Sequence, residues 1–275
     1  MADVELLQEF IDRNRNLLII TGAGCSTQSG IPAYRDREGR WLAREPIKHQ
    51  AFVADLTTRK RYWARSIVGW QMMQSAEPNT LHKVLVEWER RGRVELLVTQ
   101  NVDGLHRRAG SSRLVELHGR VDQVVCLHCG SQFERAAVQQ LLIEQNPELY
   151  HRLRAVAAEP RPDGDAEFGG IDFQSLRCPP CSHCGGDLMP DVVFFGGSVP
   201  KARVESSLAA LDRADALLVL GSSLMVYSGF RFCRQAAEQG KPIALVNQGI
   251  TRADPLASLK LESDCVSLVE RLVVG

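Results

Sequence analysis

Cysteines are the residues of this sequence with the most distinctive spacing. Five of the eight fall in two short clusters. Cys126 and Cys129 form one C-x-x-C pair, and Cys181 and Cys184 form a second, each followed by a glycine. Four thiolates on two such turns make a closed tetrahedral zinc site, which stabilises structure and leaves no position for a substrate. Cys178 offers a second register, but the two glycines after Cys184 favour the pairing with Cys181.

A glycine turn follows the first apolar run of the chain. Residues 16–21 read NLLIIT, as expected of a buried parallel strand, and lead into Gly22, Ala23 and Gly24. Such a turn lets the backbone approach a pyrophosphate, and the start of a following helix would offer free N–H groups. Thr27 stands where the third glycine of G-x-G-x-x-G is expected, so the turn alone is not specific for a nucleotide.

Polar side chains follow two further strand candidates. Residues 99–106 read TQNVDGLH directly after the run 94–99, and His118 stands before a glycine after the run 114–117. Ligands of open α/β sheets bind beyond the carboxyl ends of strands. A polar loop would explain 99–106 equally well, and a lone histidine is more often structural. His118 is nevertheless the best-placed candidate for a general base.

Apolar runs alternate with helical periodicity along most of the chain. Further strands are predicted at 216–221 and 242–247, with a shorter candidate at 265–268, and helices around 81–88 and over 230–239. This alternation predicts an α/β fold with a Rossmann-like parallel sheet and helices on both faces. The sheet is expected to be formed by residues 1–119 and 191–275.

The stretch 120–190 breaks this rhythm. It contains both cysteine pairs, with a predicted helix over 134–153 and a loop at 159–165 between them. The simplest interpretation is a small zinc-binding module inserted into the α/β domain.

Charge and composition exclude some classes of protein. The formal net charge is zero, so no global electrostatic attraction draws the chain to nucleic acid or to an anionic membrane. No apolar run approaches the roughly 20 residues that a membrane span needs. The acidic N-terminus lacks the pattern of a transit peptide, so we expect a cytoplasmic protein, or a mitochondrial matrix protein only if a presequence was removed. We also expect a monomer.

These motifs stand in the order found in the sirtuin family, which the chain resembles from about residue 8 to 272. The matching segments are 22–35 (GAGCSTQSGIPAYR), 99–106, His118-Gly119, the two cysteine pairs, 191–196 (DVVFFG), 221–224 (GSSL) and 247–249 (NQG). A finer likeness is to class II sirtuins, the branch of the fourth, mitochondrial human sirtuin. It rests on 61–65, 68–70, 192–196, 222–229 and the insert Pro162-Asp163-Gly164-Asp165.

The resemblance implies an NAD-dependent protein lysine deacylase with NAD as co-substrate and one structural zinc. Nicotinamide leaves, the acyl-lysine oxygen takes its place on the ribose, and His118 acts as general base. The products are free lysine, nicotinamide and O-acyl-ADP-ribose. Catalytic roles fall to His118, Asn101 and Asp103. NAD contacts are implied for Gly22, Ala23, Gly24, Ser26, Thr27, Tyr34, Arg35, Gln100, Asn101, Asp103, Gly221, Ser222, Ser223, Asn247, Gln248, Gly249 and Cys265.

The acyl-lysine protein substrate is expected to lie as a strand between two segments of the chain. One contains Phe195 and Gly196, and the other contains Met225, Val226 and Tyr227. Succinyl-removing sirtuins carry a tyrosine and an arginine that can hold a carboxylate. Ser66 and Gly69 stand at the matching positions here, and neither can do so. Apolar residues nearby, namely Ile67, Val68, Trp70, Met72 and Met73, predict a site for neutral medium or long acyl groups, unless they only pack the helix. The class II likeness also leaves branched glutaryl-type acids open, because an arginine from elsewhere could bind them.

Other functions remain open at this point. The same site could transfer ADP-ribose to protein or remove lipoyl groups. A non-enzymatic ADP-ribose reader would not need His118 or Asn101. A nucleic-acid-binding zinc ribbon would need a basic module, whereas this one is acidic, with Asp122, Glu134, Asp163, Asp165, Glu167, Asp172 and Asp187.

Overall fold

The computed structural model describes residues 2–42, 46–155, 159–160, 166–167 and 172–274. The segment Pro162-Asp163-Gly164-Asp165, which carried part of the class II likeness, lies outside the described residues. Within the described part of the chain, no helix combines the length and apolarity needed to cross a bilayer.

The described residues form ten α-helices and eleven strands. The helices are α1 Ala2–Arg13, α2 His49–Ala54, α3 Leu56–Ser75, α4 Thr80–Arg90, α5 Leu105–Ala109, α6 Arg135–Gln145, α7 Pro147–Ala155, α8 Lys201–Arg213, α9 Tyr227–Glu238 and α10 Cys265–Val274. The strands are β1 Leu17–Thr21, β2 Val94–Thr99, β3 Leu114–Glu116, β4 Gly119–Cys126, β5 Gln132–Glu134, β6 Glu159–Pro160, β7 Ala166–Glu167, β8 Leu188–Val192, β9 Ala216–Leu220, β10 Ile243–Val246 and β11 Leu259–Leu261.

Six strands form a parallel sheet in the order β11-β10-β9-β1-β2-β3. The three central strands β1, β9 and β10 are buried at every position. Burial on both faces is what a parallel sheet covered by helices requires, which explains the continuous apolar runs. The predicted Rossmann-like α/β fold is therefore confirmed.

Alternate residues of β1 enter two separate cores. Leu17 and Ile19 pack with α1, α4 and α10 on one face of the sheet. Leu18 and Ile20 pack with α8 and α9 on the other face. The polar side chains that follow β1, β2 and β9 are thereby held at one edge of a rigid sheet.

A second, antiparallel sheet carries the cysteine pairs, with strand order β5-β4-β8. Its core is shared with α3, because Tyr62, Trp63 and Ile67 pack with Val124 and Leu142. The inserted zinc-binding module is thus present, while its boundaries at 119/120 and 190/191 stay a prediction.

Three local predictions were wrong. Residues 265–268 begin helix α10 instead of forming a strand, because Cys265, Val266, Leu268 and Val269 pack at helical spacing on one core. The predicted helix 134–153 is two helices, since the residue before Pro147 disfavours helical backbone. The glycine turn leads into two short 3₁₀ turns, Ala23–Cys25 and Thr27–Ser29, and not into an α-helix.

Candidate active site and metal centre

One cavity of about 620 Å³ lies at the carboxyl edge of the parallel sheet. It is lined by His118 and by the five residues predicted to hold the peptide, namely Phe195, Gly196, Met225, Val226 and Tyr227. Every predicted NAD contact except Gly249 also lines it. Residues from segments far apart in sequence are therefore brought to one site.

Gly249 lies outside this lining and positions the neighbouring loop instead. Its φ is +89°, and a Cβ there would lie 2.1 Å from the Arg37 carbonyl oxygen. Arg37 in turn accepts a hydrogen bond from the Ile250 amide at 3.0 Å. Only glycine permits this close contact between the two loops.

The glycine turn packs against the loop that follows β9. The Gly24 amide donates to the Gly221 carbonyl at 2.9 Å, and a Cβ on Gly24 would lie 2.9 Å from the Gly221 Cα. Gly221 has a φ of +61°, and a Cβ there would lie 2.6 Å from the Cys25 nitrogen. Both glycines are needed because the two backbones touch at the floor of the cavity.

Asn101 and Asp103 are fixed by the residues after the glycine turn. Asn101 Nδ2 donates to the Gly22 carbonyl at 3.1 Å and to Ser26 Oγ at 3.0 Å. Asp103 accepts from Ser26 Oγ at 2.7 Å and from the Leu105 amide at 2.9 Å. Burial raises the pKa of Asp103, and these hydrogen bonds oppose the rise. The amide and the carboxylate thus stand side by side in the cavity wall.

His118 has a defined tautomer. Its Nδ1 lies 2.8 Å from the Gln100 carbonyl oxygen, which can only accept, so the proton is on Nδ1. The lone pair on Nε2 accepts from Ser228 Oγ at 2.7 Å. Burial, assisted by Arg203 and Arg231, lowers the pKa of His118 to about 4, although the Gln100 hydrogen bond opposes the shift. A neutral imidazole with a lone pair aimed into a cavity can act as a base.

The strand after His118 begins with a glycine that cannot be replaced. Gly119 has a φ of +83°, and a Cβ there would lie 2.0 Å from the Asp191 carbonyl oxygen. The His118 carbonyl accepts from the Val193 amide at 2.7 Å. The histidine is therefore positioned by the junction of the two sheets.

Aromatic rings close one side of the cavity. Trp41 makes edge contacts with Tyr34 at 6.2 Å and with Phe195 at 5.3 Å between ring centroids. The Arg35 guanidinium stacks 3.8 Å above the Trp41 ring and donates to the Gly39 carbonyl at 2.7 Å. Arg35 thus connects Trp41 and Gly39 within this loop.

Apolar side chains line the cavity near His118, but they are not those expected. The lining includes Ile31, Val102, Val192 and Phe194. None of the five predicted wall residues reaches it: Ile67, Val68, Trp70 and Met73 pack in the cores, and Met72 is partly exposed. The alternative that these residues only pack the helix therefore holds for all but Met72.

The four predicted zinc ligands converge at one point. Cys126 Sγ lies 3.5 Å from Cys184 Sγ, and Cys129 Sγ lies 3.7 Å from Cys181 Sγ. Four thiolates at about 2.3 Å from zinc in a tetrahedron lie about 3.8 Å apart, so the cluster fits zinc closely. Cys178 is not part of the cluster; burial raises the pKa of its thiol to about 11. The first register, with Cys181 and Cys184, is confirmed.

Two residues of the site were not anticipated from sequence. Ser228, in the first turn of α9, is the hydrogen-bond partner of His118 Nε2. Arg231, one turn later, lines the cavity and lowers the pKa of His118. Ser228 falls in the segment 222–229 that carries the class II likeness, but nothing in that segment or around Arg231 indicates a contact with His118.

Comparisons with known proteins agree with this geometry. The Sir2 family pattern matches residues 22–228. An NAD-dependent protein deacetylase of Xanthomonas axonopodis pv. citri (strain 306) is 52% identical over 263 residues, which cover 96% of this chain and 88% of that protein. The NAD-dependent protein lipoamidase sirtuin-4, mitochondrial, of Bos taurus is 48% identical over 269 residues, which cover 97% and 84%.

Solved structures share the whole fold. One described as "Sir2-p53 peptide-NAD+" superposes with a TM-score of 0.77 at 27% sequence identity, covering 98% of this chain and 97% of that one. Another, "Structure of Sir2Tm bound to a propionylated peptide", has the same TM-score at 26% identity and the same coverage. With a family pattern, full-length relatives and a shared fold in agreement, the chain belongs to the Sir2, or sirtuin, family.

Proposed function

We propose that this protein removes acyl groups from lysine side chains of proteins, consuming NAD and releasing nicotinamide and O-acyl-ADP-ribose. One observation carries the proposal. The neutral imidazole of His118 faces the same cavity as the glycine turn and the pair Asn101 and Asp103. These are the groups that an NAD site, a nicotinamide pocket and a base would need, and their presence in one cavity supports the proposal.

Different residues of the cavity hold different parts of NAD, whose ribose accepts the acyl group. The pyrophosphate lies against the turn from Gly22 to Gly24, where the backbone can be approached closely. The Gly22 and Gly24 amides themselves donate to the Leu220 and Gly221 carbonyls, so they hold the turn in shape. Asn101 and Asp103 pair with the carboxamide of nicotinamide and turn it from the plane of its ring. Gln100, whose Nε2 donates to Ser222 Oγ at 2.7 Å, holds the ribose.

His118 takes up a proton at Nε2. Its Nδ1–H continues to donate to the Gln100 carbonyl, so the ring keeps its orientation as Nε2 is protonated. Ser228 Oγ occupies the position from which a ribose hydroxyl would donate to Nε2. Ser228 therefore positions the imidazole until substrate takes its place.

Longer acyl groups are favoured by the wall of the cavity. Ile31, Val102, Val192 and Phe194 are apolar, and burial of each CH₂ stabilises binding by about 0.8 kcal/mol. Lipoyl removal is therefore a second candidate activity at the same site. The peptide around the acyl-lysine lies between Phe195-Gly196 and Met225–Tyr227.

Partners and compartment are further parts of the proposal. The module carries acidic side chains at Asp122, Glu134, Asp172 and Asp187, which argues against nucleic acid as a partner. Asp163 and Asp165, which the sequence analysis also counted among the acidic residues of the module, lie outside the described residues. A four-thiolate site needs reduced cysteines, which favours the cytoplasm. We propose a monomer that acts on acyl-lysine proteins.

Incubation of the protein with NAD and an acetylated peptide, followed by mass spectrometry, tests the activity. Nicotinamide, free lysine peptide and O-acetyl-ADP-ribose should appear together in equal amounts. The variant His118→Ala should lose activity by about a hundred- to ten-thousand-fold and still bind NAD. His151→Ala, on the exposed surface of α7, is the matched control. ADP-ribose attached to protein without O-acetyl-ADP-ribose would instead indicate an ADP-ribosyltransferase.

A further inference from the structure

A second group of potential metal ligands lies beneath the nicotinamide pocket. Cys25 ends the first 3₁₀ turn, His82 lies in the first turn of α4, and His106 lies in α5. The sulfur and one ring nitrogen of each histidine lie within 4.8 Å of one another, with Cys25 Sγ 3.9 Å from His106 Nε2. We call these three residues the Cys25 cluster. None of the three exposes more than 1% of its surface.

The histidines of the Cys25 cluster keep ring nitrogens without partners. His82 Nδ1 lies 2.9 Å from Asn79 Oδ1, which can only accept, and 3.3 Å from the Asn79 amide nitrogen, which can only donate. The shorter contact favours a proton on Nδ1 and a lone pair on Nε2. His82 Nε2 and His106 Nδ1 have no hydrogen-bond partner among the described residues. A buried polar atom left in this way is destabilising, and a bound cation would satisfy it. A histidine that binds metal commonly donates its other ring N–H to an oxygen, as His82 does to Asn79.

The chemistry of the Cys25 cluster suits a borderline metal ion. Burial keeps both imidazoles neutral, the form that binds metal, by lowering the pKa of His82 to about 4 and that of His106 further below its usual range. One thiol and two imidazoles are ligands that Zn²⁺ accepts. Thr21 Oγ1 donates to Thr99 Oγ1 and so accepts from His106 Nε2 at 2.9 Å, which leaves the His106 lone pair on the unpartnered Nδ1. Burial, and after it the nearby Asp103 carboxylate, raises the pKa of Cys25 to about 12, so the cysteine is a thiol until a cation binds.

We propose that Cys25, His82 and His106 form a second metal site, for a Zn²⁺-class cation, whose occupation inhibits the enzyme. Binding forms a metal–sulfur bond, breaks the Cys25 S–H bond and releases one proton to solvent. The two imidazoles bind through lone pairs and release nothing. The site is separate from the four-cysteine site, because none of its ligands belongs to the zinc-binding module.

Inhibition follows from the contact between Cys25 and the nicotinamide pocket, and it rests on the proposed function. Asn101 Nδ2 donates to Cys25 Sγ at 3.4 Å, in addition to its bonds with Gly22 and Ser26. A sulfur bound to metal carries a different charge and shifts toward the ion. Asn101 then loses one of the three contacts that set the direction of its amide.

Cobalt titration of the zinc-loaded protein tests the site. Co²⁺ is the probe, and absorption from sulfur-to-cobalt charge transfer together with proton release is the readout. We expect one Co²⁺ per chain beyond the structural zinc, one proton released per Co²⁺, and no release of zinc. Cys25→Ser, which keeps a small polar side chain, should lose this binding, whereas Cys233→Ala, a buried cysteine elsewhere, should keep it.

Activity gives an independent readout on the same proteins. The Co²⁺ concentration that halves deacylation should rise at least about tenfold in Cys25→Ser relative to its own uninhibited rate. If Cys25→Ser does not fold, His82→Asn serves in its place. Absence of metal beyond the structural zinc would overturn the proposal, as would equal binding by Cys25→Ser. Cobalt binding by a protein without deacylase activity would count against the proposed function alone.

Discussion

Acid pH should distinguish the buried His118 from an ordinary histidine. Burial is the main reason that the pKa of His118 falls from 6.5 to about 4. At pH 5 about 90% of a group with that pKa is neutral, against about 3% of an unshifted histidine. Because kcat/KM reports the free enzyme, we expect it to stay near its pH 7 level down to about pH 5. Nicotinamide release from an acetylated peptide between pH 4.5 and 8 measures it.

The same shift should appear in the free energy of unfolding. The folded pKa lies below the unfolded value, so the unfolded chain takes up the proton first as pH falls. The contribution of His118 to stability is therefore complete above about pH 6.5 and is lost as pH falls toward 4. At about 1.36 kcal/mol per pH unit, the loss from this one group is about 2 kcal/mol at pH 5.

A variant without the titrating ring isolates this contribution. In His118→Gln, the drop in unfolding free energy between pH 8 and pH 5 should be smaller than in the wild type by about 2 kcal/mol. Urea titration followed by circular dichroism at both pH values gives the difference, and other acid-sensitive groups such as His82 cancel in the comparison. An acid limb of kcat/KM near pH 6.5 in a protein that is still folded would refute the reasoning.

Three further predictions concern the metal, the acyl group and the floor of the cavity. Cys178→Ser should keep one zinc per chain by elemental analysis and Cys184→Ser should lose it; loss from the first would contradict the register. On one peptide, kcat/KM should be at least as high for octanoyl as for acetyl and lowest for succinyl, because Ile31, Val102, Val192 and Phe194 give the cavity an apolar wall and neither Ser66 nor Gly69 lines it; succinyl in first place would refute this. Gly221→Ala should weaken NAD binding at least about tenfold in calorimetry, for two reasons. The left-handed backbone of residue 221 costs a side chain about 1–3 kcal/mol, and the new Cβ would lie 2.6 Å from the Cys25 nitrogen. Gly240→Ala, with a φ of +68° and nothing within 4 Å, isolates the strain, and equal effects would show that the close contact is unimportant.

The central sheet and the zinc ligands could be predicted because their signals are local. A strand buried on both faces, such as β1, reads as a continuous apolar run, and paired cysteines keep their spacing whatever surrounds them. The run at 265–268 was misassigned because four apolar residues fit a strand or a helix equally well. Strand β4 was not predicted, since GRVDQVVC has neither a continuous nor an alternating apolar pattern.

The fine structure of the site could not be predicted because it depends on contacts between distant segments. Ser228 lies 110 positions from His118 in sequence and 2.7 Å from it in space. His106 was noticed only within a polar loop, and its neighbours Cys25 and His82 belong to other elements. The family resemblance predicted which residues line the cavity, but only the fold shows which buried side chains contact one another beside it.

Strand β4 starts beside the base and ends in the metal site: Gly119 follows His118, and Cys126 is a zinc ligand. Its eight residues span about 26 Å at about 3.3 Å per residue. The zinc holds the far end of this strand in place, and the orientation of the His118 imidazole depends on the near end. Oxidation of the four cysteines would release the zinc from the far end of β4. The orientation of His118 at the near end would then change, although His118 itself is not oxidised. The thiolates of the zinc site would thus make the active site sensitive to oxidation at a distance.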